Sequence, residues 1–166
     1  MSLFDRRLLL LSLASLGGCG FRPLYGGGTG SGPGTLLGKV RIVADKGELP
    51  FRLREALIEN LRPASTNAPL ALTVEAKVTR DGLLIEDDDD ITRFNLTLNV
   101  EYTLRRVGQP SVLHRNSARS IAAFNATASQ FATLASEREV QARAAEDVAE
   151  KITRRLAAAY DPAWLA

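Results

Sequence analysis

The feature that most constrains the fold is a long stretch of strict apolar–polar alternation at Ile91–Arg105. Successive side chains of a β-strand point to opposite faces of the sheet, so such a run separates two faces. One face would carry Phe94, Leu96, Leu98, Val100, Tyr102 and Leu104, and the other Arg93, Asn95, Thr97, Asn99, Glu101, Thr103 and Arg105. The pattern therefore predicts a long strand in a sheet with one buried face and one hydrated face.

Shorter patterns on either side predict the neighbouring elements. Alternation indicates strands at Lys39–Ala44, around Leu72–Thr79 and at Val112–Phe124, with a turn at Gly108-Gln109-Pro110 before the last of these. Leucines at helical spacing predict an amphipathic helix over Leu49–Leu61 that Pro63 ends.

A second helix is predicted near the C-terminus. Ser136 and Glu139 have the spacing of a capping box, which would place its start there. An apolar stripe then runs to Asp161-Pro162, through Ala145, Val148, Ile152, Leu156 and Ala159. Such a stripe is typical of a helix that packs on a flat surface.

The resulting order is strand, helix, three strands, helix, which indicates the α+β class. We expect a mainly antiparallel or mixed sheet of about four strands, with both helices on one face and the other face polar. A length of 166 residues with 45% hydrophobic content suits one domain, predicted at residues 36–166.

The N-terminal residues have the order of an export signal. Two arginines precede the uncharged run Leu8–Leu16, which as a helix would rise only about 14 Å, roughly half the hydrocarbon thickness of a bilayer. The run ends in Leu16-Gly17-Gly18-Cys19, the pattern of a lipobox, and Cys19 is the single cysteine of the chain. We therefore predict a signal peptide at residues 1–18 and lipidation of Cys19.

The residues after Cys19 are rich in chain breakers. The segment that ends at Thr35 has the composition of a flexible tether, predicted for residues 19–35. Later apolar stretches are short or interrupted by charge, so we expect a protein that is anchored to a membrane by lipid and does not cross it.

Composition and motifs favour neither nucleic-acid binding nor catalysis. The 21 Lys and Arg residues nearly balance the 19 Asp and Glu residues. Common hydrolase, phosphate-binding and zinc motifs are missing from the sequence, and the only histidine, His114, has no partner residues in sequence that suggest catalysis. We expect no enzyme, no cofactor and no metal site.

The acidic run Glu86–Asp90 has carboxylates that suit a divalent cation. It lacks the spacing of a calcium loop, which favours a solvated connection between two elements.

The polar side of the predicted sheet offers the best candidates for binding. Lys77, Arg93, Arg105 and Arg119 would project from the same side as the Thr and Asn side chains. A plain hydrated face is one interpretation. The other is a surface that docks a polar partner or a phosphorylated sugar, because guanidinium groups pair well with phosphate.

Two stretches resemble a known family. Cys19–Tyr25, CGFRPLY, is similar to the mature N-terminus of the lipopolysaccharide-assembly lipoproteins of the LptE family, in the form found in alphaproteobacteria. Phe124–Leu156 resembles the same family, in which an aromatic-Asn pair ends a strand and S-x-F-A leads into a long Ala-rich helix. The order of elements also fits.

The resemblance implies a non-enzymatic lipoprotein of the outer membrane, on its periplasmic face. It implies a partner, the large β-barrel LptD, whose lumen the protein would plug and whose assembly it would assist. It also implies contact with lipopolysaccharide on its way to the outer leaflet. The alternative is a periplasmic lipid- or ligand-binding lipoprotein without a barrel partner, which would need a hydrophobic cavity between helices and sheet.

Overall fold

The computed structural model describes Leu36 and residues 38–62, 67–85 and 91–166. The predicted signal peptide, Cys19, the predicted tether and the acidic run Glu86–Asp90 lie outside these residues. Within them the chain forms, in order, β1 (Val40–Ala44), α1 (Glu48–Leu61), β2 (Leu70–Ile85), β3 (Ile91–Arg106), β4 (Val112–Asn125), α2 (Gln130–Ala158) and a 3-10 turn (Pro162–Trp164). The predicted order and the α+β class are confirmed.

The four strands form one mixed sheet in the order β1-β2-β3-β4. β1 pairs with β2 in parallel, and this is possible because α1 carries the chain back to the start of β2. β2, β3 and β4 follow one another as antiparallel neighbours. A turn with Gly108 at a φ of 81° joins β3 to β4, where the amide of Gln109 donates to the carbonyl of Arg106 at 3.1 Å.

Both helices cover the same face of the sheet. The apolar side of β3 is buried from Leu96 to Leu104, and Leu53, Leu57 and Leu61 of α1 are fully buried against the sheet. The predicted stripe of α2 joins the same core, with Ala145, Val148, Ile152 and Leu156 buried and Ala159 half-buried. None of the helices in these described ranges has the length and apolar composition that a bilayer crossing needs.

The start of α2 corrects the prediction of a capping box at Ser136 and Glu139. The helix begins at Gln130, and the Oγ of Ser129 accepts from the amide of Ala132 at 3.4 Å. Ser136 and Glu139 lie inside the helix, where Glu139 pairs with Arg143 at 3.3 Å. The sequence spacing of a capping box also occurs within helices, so the place where the chain leaves β4 decides which residue is the cap.

α1 ends at Leu61, as predicted, and Arg62 follows as its C-cap. Arg62 takes a left-handed conformation with φ of 42°, and its amide donates to the carbonyl of Ile58 at 2.7 Å. This is a C-cap that satisfies one of the carbonyls left free at a helix end. The predicted helix stop, Pro63, lies outside the described residues.

Candidate functional site

The candidate site is the outer face of the sheet, the face opposite α1 and α2. Strand pairing places on it the exposed basic residues Arg41, Lys77, Arg93, Arg105, Arg115 and Arg119 and the exposed acidic residues Glu75, Asp81 and Glu101. Threonine, asparagine and serine side chains lie between them, together with the exposed apolar side chains of Val43 and Ile121. The outer face is therefore mainly polar and mixed in charge, with an excess of positive charge.

The sheet register brings two of the four predicted binding residues together. Asn99 of β3 pairs with Lys77 on one side and with Arg119 on the other, so the three form one row across the sheet. With neighbouring strands about 4.8 Å apart, the Cα atoms of Lys77 and Arg119 lie about 10 Å from each other. Two long basic side chains at this spacing can reach one phosphate or carboxylate group, or two adjacent ones.

The other two predicted residues lie far from this row. Arg105 pairs with Ala71 near one end of β3, and Arg93 pairs with Asn125 near the other. Twelve residues separate them along the strand, a distance of about 40 Å. All four residues share the outer face as predicted, but a single small ligand cannot contact all of them.

An acidic pair lies next to the Lys77–Arg119 row. Glu75 and Glu101 are directly opposite each other on β2 and β3, an arrangement that disfavours the isolated sheet because like charges repel. Lys77 follows on β2 two residues later, and Arg115 and Arg119 of β4 lie diagonal to Glu101. None of the ion pairs found among the described residues lies on the outer face, so its charges are available to a partner.

Sequence reasoning missed Arg41, Arg115 and the Glu75–Glu101 pair. The alternation pattern carries the signal that these side chains point outward. Which of them are neighbours depends on the register between strands, and that information is not local in the sequence.

On the inner side, a small polar cluster joins β4 to α2. The Oγ of Ser120 donates to Asp147 Oδ2 at 2.7 Å, and the Nζ of Lys151 donates to the same oxygen at 2.6 Å. Burial alone would raise the pKa of Asp147, but the hydrogen bonds from Lys151 and Ser120 and the charges of Lys151 and Arg154 outweigh it and lower the pKa. The cluster fixes the helix to the strand.

His114 lies near the start of β4 in an aromatic environment. Its ring centroid is 6.0 Å from that of Tyr102 and 5.8 Å from that of Trp164. The Nε2 atom is buried without a hydrogen-bond partner, and burial lowers the pKa of the imidazole. The pKa of Tyr102 is raised by burial, an effect that the guanidinium of Arg155 partly offsets.

The helix side carries further exposed apolar side chains. Phe131 and Leu134 of α2 and Phe51 of α1 are 83%, 45% and 59% exposed. They line shallow, open grooves along the two helices together with Arg52 and Arg138. No cluster of three or more His, Cys, Asp or Glu residues suited to a metal ion occurs in the part of the chain that the structure describes.

Comparison with known proteins decides the family. The family model "LptE: Lipopolysaccharide-assembly" matches residues 38–156, from the start of β1 to the last turn of α2. The chain belongs to the LptE family. The resemblance found in the sequence is thereby confirmed. A search of curated protein sequences returns no significant match.

Solved structures of bacterial lipoproteins share this LptE-family fold. A protein of Caulobacter crescentus CB15 assigned as a lipoprotein has 22% identity and a TM-score of 0.64, with 76% of this chain and 93% of that chain covered. The minor lipoprotein of Acinetobacter baumannii has 19% identity and a TM-score of 0.54, covering 74% and 93%. Rare lipoprotein B of Shewanella oneidensis has 14% identity and a TM-score of 0.53, covering 72% and 92%. At these identities the likeness concerns the fold.

Proposed function

We propose that this LptE-family protein is a lipid-anchored protein on the periplasmic face of the outer membrane. It plugs the lumen of an LptD-like β-barrel, assists the assembly of that barrel and takes part in the transport of lipopolysaccharide to the outer leaflet. The family match over residues 38–156 is the observation that carries this proposal. The polar outer face supports it from the chemistry of the surface.

The anchor in this proposal is the lipid on Cys19. It rests on the order of charge, apolar run and lipobox in the first nineteen residues. Each buried methylene of an acyl chain contributes about 0.8 kcal/mol, so several chains on one residue hold a protein at a membrane almost irreversibly. Attachment to the membrane that contains the barrel raises the effective concentration of the plug beside it.

The shape and the surface of the domain suit a wide barrel. Four strands at about 4.8 Å spacing give a sheet about 15–20 Å wide, and one helix layer covers it. The lumen of a large outer-membrane barrel is polar, so a plug must present polar side chains to the wall. The outer face does this along β3 from Arg93 to Arg105, and its unpaired charges can form ion pairs with a partner.

The row of Lys77 and Arg119 is the best candidate for contact with lipopolysaccharide or with the barrel. Phosphate and carboxylate groups are the charged parts of that lipid which a guanidinium and an ammonium group bind well. Arg93 and Arg105, at the two ends of β3, are candidates for separate contacts.

We propose a non-enzymatic role. Ser120 and Asp147 share a hydrogen bond, but His114 is six residues from Ser120 on the same strand, about 20 Å away. A base at that distance cannot activate the hydroxyl group. The lone histidine packs instead between Tyr102 and Trp164.

The alternative is a lipid- or ligand-binding lipoprotein without a barrel partner. That function needs apolar space between helices and sheet. Among the described residues this space is occupied by core side chains, of which those on β3 between Leu96 and Leu104 are at most 1% exposed. The filled core favours the plug.

Co-purification tests the proposal. The full-length protein, extracted with its lipid anchor in mild detergent, is expected to bring down a large outer-membrane β-barrel. The double variant Lys77→Glu plus Arg119→Glu should recover several-fold less barrel or lipopolysaccharide, because it reverses two charges in one row. Arg54→Glu on α1, also an exposed arginine, is the matched control and should recover as much as the wild type. Recovery of no barrel by the wild type would overturn the proposal.

A further inference from the structure

A groove runs between α1 and α2 on their exposed side. Arg52 and Arg138 line its first part, and Asn60 and Glu150 line its last part. The residue numbers rise on both helices from the first part to the last, so the two helices run in the same direction along it. We name this channel the interhelical groove.

The middle of the interhelical groove has an apolar floor. It is lined by Ala56 of α1 and Ala142 of α2, which are half-buried, and by Phe51, which is 59% exposed. Since the two alanine side chains are small, the groove has room there for larger apolar side chains of an occupant. Glu59 and Glu146 line the same part, and both are exposed.

Glu59 and Glu146 differ from the other acidic residues of the groove in having no partner. Neither forms an ion pair or a hydrogen bond with any residue that the structure describes. The other acidic residues that line the groove each pair with a basic side chain, and these are Glu55, Glu139, Asp147 and Glu150. The middle of the groove therefore has a negative charge that suits an occupant with a guanidinium or ammonium group.

The chain enters the described domain at one end of this groove. The amide of Gly38 donates to the carbonyl of Leu61, the last residue of α1, at 3.2 Å, and Leu36 is fully buried. Leu61 follows Asn60, which lines the last part of the groove. The sequence upstream of Leu36 is therefore connected to the domain beside the groove.

That upstream sequence contains a segment whose composition matches the groove. Phe21–Tyr25, FRPLY, has one basic residue, Arg22, among apolar ones. Residues 26–35 separate it from Leu36, and ten flexible residues span about 17 Å root-mean-square. From Asn60 back to Phe51 the groove extends over nine helical residues, or about 14 Å. The segment can therefore reach the middle of the groove.

We propose that Phe21–Tyr25 of the same chain occupies the interhelical groove. The guanidinium of Arg22 binds Glu59 and Glu146, and the apolar side chains of the segment pack on the apolar floor. A short flexible connection gives the segment an effective concentration in the millimolar range, so a contact that would be weak between separate molecules is well populated here.

The inference goes beyond the proposed function and has one consequence for it. Cys19 lies two residues before Phe21, so a lipid on Cys19 is held beside the helices. The helix side then faces the membrane, and the outer face of the sheet is turned away from it. The protein alone suffices to test the docking, whether or not a barrel is recovered with it.

Hydrogen exchange of the full chain in detergent tests the occupancy. The amides of Phe21–Tyr25 are expected to exchange about tenfold more slowly than those of residues 26–35, because only the undocked fraction exchanges. Arg22→Glu should abolish this protection, and it changes no residue of the described domain. Glu59→Lys plus Glu146→Lys should abolish it as well.

Two further variants separate a specific contact from a general effect of charge. Glu75→Lys plus Glu101→Lys makes the same change in charge on the outer face of the sheet and should leave the protection of the segment intact. Arg22→Glu combined with Glu59→Lys and Glu146→Lys exchanges the signs on the two sides and should restore the protection.

A disulfide tests the position of the segment. Leu24→Cys plus Ala142→Cys should form an intramolecular disulfide that peptide mapping assigns to these two positions. Leu24→Cys plus Thr73→Cys is the matched control. Thr73 pairs with Val43 on the outer face, about 10 Å along the sheet from the start of β1, so an undocked segment would reach it too. We expect several-fold less disulfide from the control.

The inference fails if the wild-type segment exchanges as fast as residues 26–35 or if both cysteine pairs link equally. It also fails if the variant with exchanged signs stays as unprotected as Arg22→Glu. Protection that persists in both Arg22→Glu and the Glu59→Lys plus Glu146→Lys variant would show that the detergent covers the segment and that the groove does not.

Discussion

At the residue scale, the most informative side chains are the few polar groups on the inner side of the sheet. Asp147 has two donors, Ser120 and Lys151, on one oxygen. His114 has a buried Nε2 with no partner. The first is expected to stabilise the fold, and the second is expected to cost free energy, because a buried polar atom without a hydrogen bond loses its hydration.

Replacing Asp147 tests the first expectation. Asp147→Ala should lower the free energy of unfolding by about 1 kcal/mol at neutral pH, because Ser120 and Lys151 lose their shared acceptor. The folded-state pKa of Asp147 lies below the ordinary value of 3.8, so its contribution is complete above that pH and is lost as the pH falls through the folded-state pKa. Urea unfolding at neutral and acid pH measures both effects.

The control for this variant is Glu150→Ala on the same helix. Glu150 pairs with Arg154 at 3.4 Å, and both side chains are well exposed. Such a pair contributes little, so the change should stay within about 0.5 kcal/mol. Equal losses for the two variants would contradict the role given to Asp147.

Replacing His114 tests the second expectation. His114→Phe keeps an aromatic ring and removes the buried atom without a partner, so at neutral pH the variant should be as stable as the wild type or up to about 1 kcal/mol more stable. The folded-state pKa of His114 lies below 6.5, so the unfolded chain binds the proton first and the wild type loses stability as the pH falls below 6.5. Urea unfolding at pH 8 and pH 5 should show a smaller loss for the variant. The same loss in both proteins would disprove the assignment.

At the scale of elements, helix ends and strand edges decide where the regular structure begins and what it can bind. α2 is capped by Ser129, and its C-terminal half reaches over β4 with Lys151 and Arg155. The same helix therefore contributes apolar side chains to the core and covers part of the β4 edge with two of its basic side chains. Arg106 of β3 adds a link to the C-terminal 3-10 turn by donating to the carbonyl of Ala163 at 2.9 Å.

Ser129, just before α2, and Ser136, inside it, distinguish the observed cap from the predicted one. Ser129→Ala should lower the free energy of unfolding by about 1 kcal/mol, because the amide of Ala132 loses its acceptor. Ser136→Ala should change it by less than about 0.5 kcal/mol, or stabilise the helix slightly, since alanine is the better residue inside a helix. Thermal unfolding followed by circular dichroism compares the two variants. A larger loss of stability for Ser136→Ala would support the predicted capping box at Ser136 and Glu139.

The cover over the β4 edge can be tested with two adjacent arginines. Arg155→Met keeps a long side chain but removes the donor to the carbonyl of Ser117, so the edge is exposed to other chains. We expect faster aggregation, followed by light scattering over time at a fixed concentration. Arg154→Met removes the exposed pair with Glu150 and a charge near Asp147 but no hydrogen bond to β4, so it should aggregate at the wild-type rate. No difference between the two variants would show that Arg155 does not protect the edge.

At the scale of the whole molecule, one face of the sheet is buried and the other is exposed to solvent. The inner face and the helices form the core, and the outer face leaves its charges without ion pairs among the described residues. A protein inside a polar lumen would need such a face over its whole length. Beyond Val74, β2 has no neighbouring strand on its β1 side among the described residues. This free edge is a second surface, between the outer face and the helices.

The sequence alone determined the order of the elements, the buried side of β3 and the family. Period-two and helical patterns assign each residue to a face, because the face is a local property of the backbone. The N-terminal motif and the pattern from Phe124 to Leu156 carried the resemblance to the LptE family.

Tertiary structure decided which residues meet. The pairing of β2 and β4 with β3 places Lys77, Asn99 and Arg119 in one row and separates Arg93 from Arg105. It also places Glu75 opposite Glu101, stops β1 at the level of Val74 and starts α2 at Gln130. Register and element length depend on how distant segments pack against each other, and a pattern read along one segment contains no information about its partner.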